Sequence, residues 1–207
     1  MSAPSHWMLT IAGTEHFLTG VDACTNEFDI DAIAHSTAII PRFTGHTTRP
    51  YSVAEHQLLC ADIAEHLGLP RIVQLACLVH DAHEAITGDT SSPVKWTVGE
   101  AWTNFEQPIA RQLRRWLGLL STFAGHGHRI HQIDLMALAT ERRDLLNYRH
   151  GTNLPWPVLD TPGAAVPCAS WIDLRTTKRE QRHWSEWKAM WLERYHALSA
   201  NHSPMEA

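Results

Sequence analysis

The chain has 207 residues, 44% hydrophobic and 19% charged, a profile that predicts a soluble globular protein with one substantial core. A formal charge of -5, with no run of Lys or Arg longer than two, argues against a nucleic-acid or anionic-membrane partner, so any phosphate site has to be local. The four cysteines, Cys24, Cys60, Cys77 and Cys168, lack C-x-x-C spacing and predict no disulfide framework.

No stretch approaches the roughly 18 apolar residues of a membrane span, and MSAPSHWMLT lacks the basic start and apolar core of a signal peptide. Both observations place the protein in the cytoplasm, the host's if the gene is carried by a phage.

In chain order, Trp7 to Ile11 and Glu15 to Val21 read as a β-hairpin. Asp29 to Ile40 reads as a helix capped by Asp29, with Ile30, Ile33, Ala34 and Thr37 on one face and Pro41 ending it. Arg42 to Pro50 is a loop rich in turn residues. In SVAE, Ser52 and Glu55 predict a capping box that opens a second helix running to about Leu67, before Gly68 and Pro70.

Val53, Cys60, Ile63 and Leu67 form the predicted buried stripe of that helix, with His56 in its middle. Cys60 and Cys77 read as small apolar core residues. The next helix carries Ile72, Leu75, Ala76 and Val79 on one face, and the same periodicity extends through His80 to Glu84, with Asp81 about a hundred degrees round. Gly88 then breaks the helix so that Asp89 can fold back.

Ser91 to Thr97 reads as a turn region, from which Lys95 could offer a cation. A helix from about Val98 to Leu120 follows, with Thr97 and Glu100 as a second capping box and Pro108 as a kink. Ser121 to Gly127 reads as a loop and Arg129 to Tyr148 as a helix with Ile130, Ile133, Ala137, Leu138 and Leu145 inward. Asp134 shares that inward face. His150 to Ser170 reads as a surface loop, and Thr177 to Ala200 as a last helix with Thr177 and Glu180 as its capping box and a Trp184, Trp187, Trp191, Tyr195 packing stripe.

Three separate helices thus each turn polar groups inward: His56, the pair His80-Asp81, and Asp134. Burying them is costly unless a shared cation compensates, and two imidazoles with two carboxylates suit one divalent transition metal (Co, Mn, Zn, Ni or Fe). HGHRIH, with His126, His128 and His131, could suggest a second metal but reads as a solvent-facing loop. Glu141 reads as a salt-bridge partner for a neighbouring helix.

YSVAEH, LVHDAHEAITGD, PVK and IHQIDLMALATERRDL, in that order, resemble the HD superfamily of metal-dependent phosphohydrolases, in the branch of bacterial 5′-deoxynucleotidases and phage dATP triphosphohydrolases. The resemblance covers about residues 28–148. It implies an all-α HD-domain bundle spanning 1–207 as a single domain, with the small N-terminal hairpin as decoration and 150–207 packed on the core.

The resemblance further implies His56, His80, Asp81 and Asp134 as metal ligands and Glu84 and Asp89 as catalytic carboxylates. Arg42 and Lys95 would contact phosphate; Phe43 stands where relatives often carry Trp; His46 and His83 are further substrate-binding candidates, and His35 a weaker one. The implied activity is hydrolysis of 2′-deoxynucleoside 5′-phosphates, releasing either phosphate or triphosphate. A triphosphate substrate would call for a second Mg or Mn and for added cations, with Arg49, Arg71 or residues of a neighbouring subunit as candidates. A homo-oligomer, dimer or hexamer, is also implied. The alternatives are an HD-fold diiron oxygenase and a non-catalytic nucleotide sensor.

Overall fold

The computed structural model describes residues 5–200. Part of the leader-peptide reading, 1–4, and the end of the C-terminal segment, 201–207, lie outside the described residues. Within them the chain is mostly helical, with one two-stranded antiparallel sheet. Strand β1 (Trp7–Leu9) pairs with β2 (Glu15–Phe17) in the register Trp7 to Phe17, Met8 to His16 and Leu9 to Glu15. Both strands are shorter than predicted, because the Thr10 N–H donates to the Thr14 carbonyl at 2.9 Å and closes the turn before Ile11 can pair.

Helix α1 (Ile30–Ile39) starts where Asp29 Oδ1 accepts the Ala32 N–H at 2.6 Å. Helix α2 (Val53–His66) starts at Ser52, whose Oγ accepts the Glu55 N–H at 3.3 Å. The other half of the predicted capping box does not form. The Glu55 carboxylate is instead buried and receives Arg49 through both Nη atoms at 2.8 and 2.7 Å and Arg179 Nη1 at 2.8 Å. Because Arg179 is distant in sequence, this knot ties the C-terminal segment to α2. Leu67, predicted inside, is 44% exposed, since the chain leaves the helix there.

Helix α3 (Arg71–Val79) packs against α2 and ends one residue before His80. Residues 80–83 tighten into successive turns, with Ala82 N–H to Val79 O and Glu84 N–H to Asp81 O, so the predicted continuous helix through Glu84 is interrupted. Helix α4 (Glu84–Thr87) is a single turn closed by Gly88 at φ 75. Ser91 to Thr97, predicted as a turn region, is largely helical: α5 (Ser92–Val98) has Pro93 in its first turn, where the missing N–H costs nothing.

Helix α6 (Glu100–Trp116) follows Gly99 at φ 68 without a side-chain cap, and Thr97 Oγ1 donates to the Pro93 carbonyl instead of capping it. Pro108 lies within this helix. Helix α7 (Leu120–Leu145) absorbs the predicted 121–127 loop. Phe123 anchors that turn: its ring lies 4.2 Å under the Arg114 guanidinium and packs on the core, offsetting the cost of Gly125 and Gly127 in a helix.

The final helix is divided into α8 (Thr177–Glu180) and α9 (Trp184–Ser199). Its capping box is made by His183 and Glu186, not by Thr177 and Glu180, with the His183 N–H donating to Glu186 Oε2 at 2.9 Å. Trp187, Trp191 and Tyr195 are buried against α1, α2 and α3, and Trp191 Nε1 donates to Gln57 Oε1 at 2.8 Å; Trp184 stays 37% exposed. Each fully buried aromatic of this kind contributes roughly 1.5–3 kcal/mol, enough for α9 to hold α1 in place. A second cluster, with Leu59, Ile63, Val73, Ile133 and Leu145, joins α2, α3 and α7, the elements that carry His56, His80 and Asp134. No described helix is long and apolar enough to cross a membrane.

Candidate metal centre and its cavity

His56 projects from the middle of α2, His80 and Asp81 from the turn after α3, and Asp134 from the middle of α7. Their donor atoms converge. His56 Nε2 lies 3.4 Å from His80 Nε2, 3.5 Å from Asp81 Oδ2 and 3.3 Å from Asp134 Oδ1. His80 Nε2 lies 3.1 Å from Asp81 Oδ2 and 3.6 Å from Asp134 Oδ1. Ligands placed about 2.1 Å from one ion are separated by about 3.0 Å in an octahedron and 3.4 Å in a tetrahedron, so these spacings suit a common centre.

The opposite ring nitrogens fix which atoms face inward. His80 Nδ1 donates to the Cys77 carbonyl at 2.8 Å, and His56 Nδ1 donates to Glu141 Oε1 at 2.6 Å. In the neutral tautomer both Nε2 atoms then offer lone pairs to each other and to two carboxylate oxygens. Four acceptors facing one point repel unless protons or a cation lie among them. Burial opposes charge on both rings, joined at His56 by Arg42, but Cys60, Glu141 and Asp134 around His56, and Asp81 and Asp134 around His80, outweigh it and hold both imidazoles well above the ordinary His range. Burial likewise raises Asp81 and Asp134, yet the two imidazoles hold them well below theirs.

Cys60, one helical turn after His56, places Sγ 3.6 Å from His56 Nε2. From the sequence alone Cys60 is expected to fill the core; here it also lies at the centre. In the structure His56, Cys60, His80 and Asp134 form a mostly buried group whose ligand atoms all lie within 4.8 Å of one another, a group that could hold a metal ion. It is the one such group among the described residues, and His126, His128 and His131 are exposed on α7 outside it. The i to i+4 spacing from His56 is the signal that could have marked Cys60 as a ligand candidate.

Glu141, read as a helix-to-helix salt bridge, does more. Besides His56 it accepts the Tyr51 hydroxyl at 2.8 Å and lies 3.4 Å from Arg42 Nε, and its side chain is fully buried. Arg42 extends from this carboxylate toward Asp81 Oδ2 at 3.5 Å and Asp89 Oδ1 at 3.7 Å. Asp89 Oδ2 also accepts the Phe43 N–H at 3.1 Å. That contact holds a strained segment in place: Phe43 and Thr44 have φ of 54° and 53°, the left-handed region that side chains disfavour.

The acidic cluster opens into a cavity of about 460 Å³. Arg42, Asp81, Glu84, Asp89, Lys95 and Asp134 line its polar end. Glu84 is buried and its Oε2 has no hydrogen-bond partner. Burial, joined by the charges of Asp81 and Asp89, pushes its carboxyl well above the ordinary range, against the pull of Arg42 and Lys95.

Three expected substrate contacts are placed differently. Lys95 lines the cavity but is not free, because Nζ donates to Glu106 Oε1 at 2.6 Å and lies 3.9 Å from Glu84. His83 is buried behind that pair, 3.4 Å from Glu106 Oε1, and does not line the cavity. His46 is exposed outside it, where its N–H caps the turn by donating to the Phe43 carbonyl. Glu106, which organises both His83 and Lys95, shares the buried face of α6 with Ile109, Ala110 and Leu113 at spacings of three, four and seven, so helical periodicity was the signal that could have found it. The cavity also has a wall the sequence reading assigned to a surface loop: Pro155, Trp156, Pro157 and Val158.

Fold and site together define a mostly helical protein with a buried His/Cys/Asp cluster, capable of holding a metal ion, beneath an acidic cavity. No family model matches the chain. It is 35% identical over 131 residues to the uncharacterized protein YfdR of Escherichia coli (strain K12), covering 63% of this chain and 67% of that one, and it belongs to the same family as YfdR. An uncharacterized protein of Rhodobacter capsulatus is 32% identical over 117 residues, 55% of this chain and 59% of its own length.

Proposed function

We propose that this protein is an HD-type metal-dependent phosphohydrolase acting on 2′-deoxynucleoside 5′-phosphates, with monophosphates favoured over triphosphates. The observation that carries the reading is the convergence of His56, His80, Asp81 and Asp134 on one point at the floor of a cavity that also contains Arg42 and a buried Glu84. Those four side chains, with Cys60 beneath them, would hold the ion. Bound there, a divalent transition metal supplies positive charge to a phosphoryl oxygen and acidifies water.

The rest is the work of the chain's own residues. Arg42, fixed by Glu141, Asp89 and Asp81, presents its guanidinium to phosphoryl oxygens from a position that needs no rearrangement. Glu84, buried and without a partner at Oε2, holds or moves a proton, a role that burial and the charges of Asp81 and Asp89 favour by pushing its carboxyl well above the ordinary range. Asp89 shapes the Arg42-Phe43 turn and faces the same cavity.

The choice of monophosphate rests on charge. Arg49 is committed to Glu55 and the Leu174 carbonyl, and Arg71 donates to the Ala197 carbonyl, so neither cation proposed for distal phosphates lines the cavity. Four carboxylates there face two cations, one of them already paired with Glu106. A highly charged triphosphate meets more repulsion in such a site than a monophosphate.

The test is a panel of ribo- and deoxynucleoside mono- and triphosphates, each with Co, Mn, Zn or Mg, assayed for phosphate, pyrophosphate and triphosphate. Glu84→Gln is expected to bind metal as the unaltered protein does and to lose at least a hundredfold in turnover. Full turnover by that variant removes Glu84 from the mechanism, and no release from any nucleotide refutes the reading.

A further inference from the structure

The cavity has an aromatic and apolar lining beside its charged groups: Phe43 from the strained turn, Trp96 from α5 and the segment Pro155 to Val158. Trp96, 61% exposed, lines the cavity and belongs to neither core cluster.

The Trp156 segment is firmly built although it has no regular secondary structure. Leu159 is buried, and both the Leu159 and Asp160 N–H groups donate to the Trp156 carbonyl at 2.8 Å. Asp160 is gripped by Arg142 through two hydrogen bonds of 2.6 and 2.7 Å and accepts the Trp156 N–H at 2.7 Å. The Arg142 guanidinium also lies over the Tyr148 and Trp156 rings at 4.4 and 5.3 Å, and Tyr148 meets Trp156 edge-on at 6.1 Å. An ion pair, a cation-π contact and a ring contact therefore fix one tryptophan at the wall of the acidic cavity. Packing alone does not call for so much support of a residue that remains partly exposed.

What this wall offers a ligand is equally specific. Pro155 and Pro157 have no N–H, and that of Trp156 is spent on Asp160. The wall therefore presents ring faces and few groups that read hydrogen-bonding edges. We infer that Trp156, with Trp96, forms a stacking subsite for the planar group of the substrate whose phosphate lies at Arg42, with Trp156 selecting ligands that carry a base over those that lack one. This inference rests on the nucleotide-hydrolase reading and deepens it: a base is held by its face, which makes purines and pyrimidines comparably acceptable.

The test is equilibrium binding of two inert phosphonates to the metal-loaded protein, one the methylene analogue of deoxyadenosine 5′-phosphate and the other that of 2-deoxyribose 5-phosphate, which lacks the base. The unaltered protein is expected to prefer the first by on the order of tenfold or more, the contribution of one base-aromatic stack. Trp156→Ala is expected to bring that ratio close to one, Trp156→Phe to keep most of it, and Trp96→Ala, at an exposed site that folding does not need, to lower it partially. An unaltered protein without preference, or a ratio unchanged in Trp156→Ala and Trp96→Ala, overturns the subsite. Because the phosphonates are not hydrolysed, this outcome is read separately from turnover, whose absence would count against the hydrolase reading alone.

Discussion

Replacing Glu141 by Gln tests whether the centre depends on a residue that touches neither the cavity nor the point of convergence. Glu141 Oε1 accepts His56 Nδ1 at 2.6 Å and the Tyr51 hydroxyl at 2.8 Å and lies 3.4 Å from Arg42 Nε, while Oε2 has no partner. Gln keeps the shape and can still accept at the first position, so the loss is one buried negative charge. His56 becomes less basic at Nε2, and Arg42 keeps only Asp81 and Asp89, at 3.5 and 3.7 Å. Loss of an outer partner of a ligating histidine weakens metal binding by about 10–100-fold, or about 1.4–2.7 kcal/mol. The metal-free protein should lose less than the roughly 3–5 kcal/mol of a fully broken buried pair, because Arg42 retains two carboxylates. Competition against a chromophoric chelator reads the first quantity and urea denaturation the second. A folded Glu141→Gln protein whose metal affinity changes less than threefold would refute the reasoning.

Cys60→Ala should lower affinity for Zn or Co more than for Mn or Mg, since a soft sulfur ligand selects the former, and Cys77→Ala, another buried thiol, serves as the control; equal losses for all four ions would place Cys60 outside the coordination sphere. Glu55→Ala should destabilise by about 3–5 kcal/mol, because it strands Arg49 in the interior and frees Arg179; a denaturant midpoint unchanged within error would show the knot to be dispensable. Burial tends to raise the Glu106 carboxyl, but hydrogen bonds from His83 and Lys95 outweigh it and bring it down to about 2. A carboxylate depressed on folding stabilises above its unfolded pKa, so this contribution is complete above about pH 4.5 and fades as the pH falls toward 2. Glu106 is buried, and one charge-assisted hydrogen bond of this kind contributes on the order of 1.5–3 kcal/mol. Denaturation of the metal-free protein against pH should therefore show a shallower acid limb in Glu106→Gln, and superimposable limbs would contradict this.

Local chemistry was readable from the residue order. Asp29 and Ser52 are caps because their side chains reach an N–H three residues ahead, which needs no distant partner. His56, His80 and Asp134 were found on inward faces because helical periodicity is a short-range rule, and the structure brings their donor atoms within 3.6 Å of one another. Gly88 marked the break after α4 because its positive φ is a property of a single residue.

What could not be read came from contacts between segments far apart in the chain. Residues 121–127 are helical despite two glycines because Phe123 finds Arg114 and the core. Glu55 looked like half of a capping box until Arg49 and the distant Arg179 offered charged hydrogen bonds stronger than a backbone N–H. Lys95 looked available until Glu106 was placed beside it, and the 155–158 segment, a surface loop as expected, becomes a cavity wall only because Arg142 grips Asp160. The order of residues determined which side chains face inward; only the packed chain decided which charges remain unpaired there, because pairing depends on distance in space, and periodicity along one helix says nothing of what the next will bring.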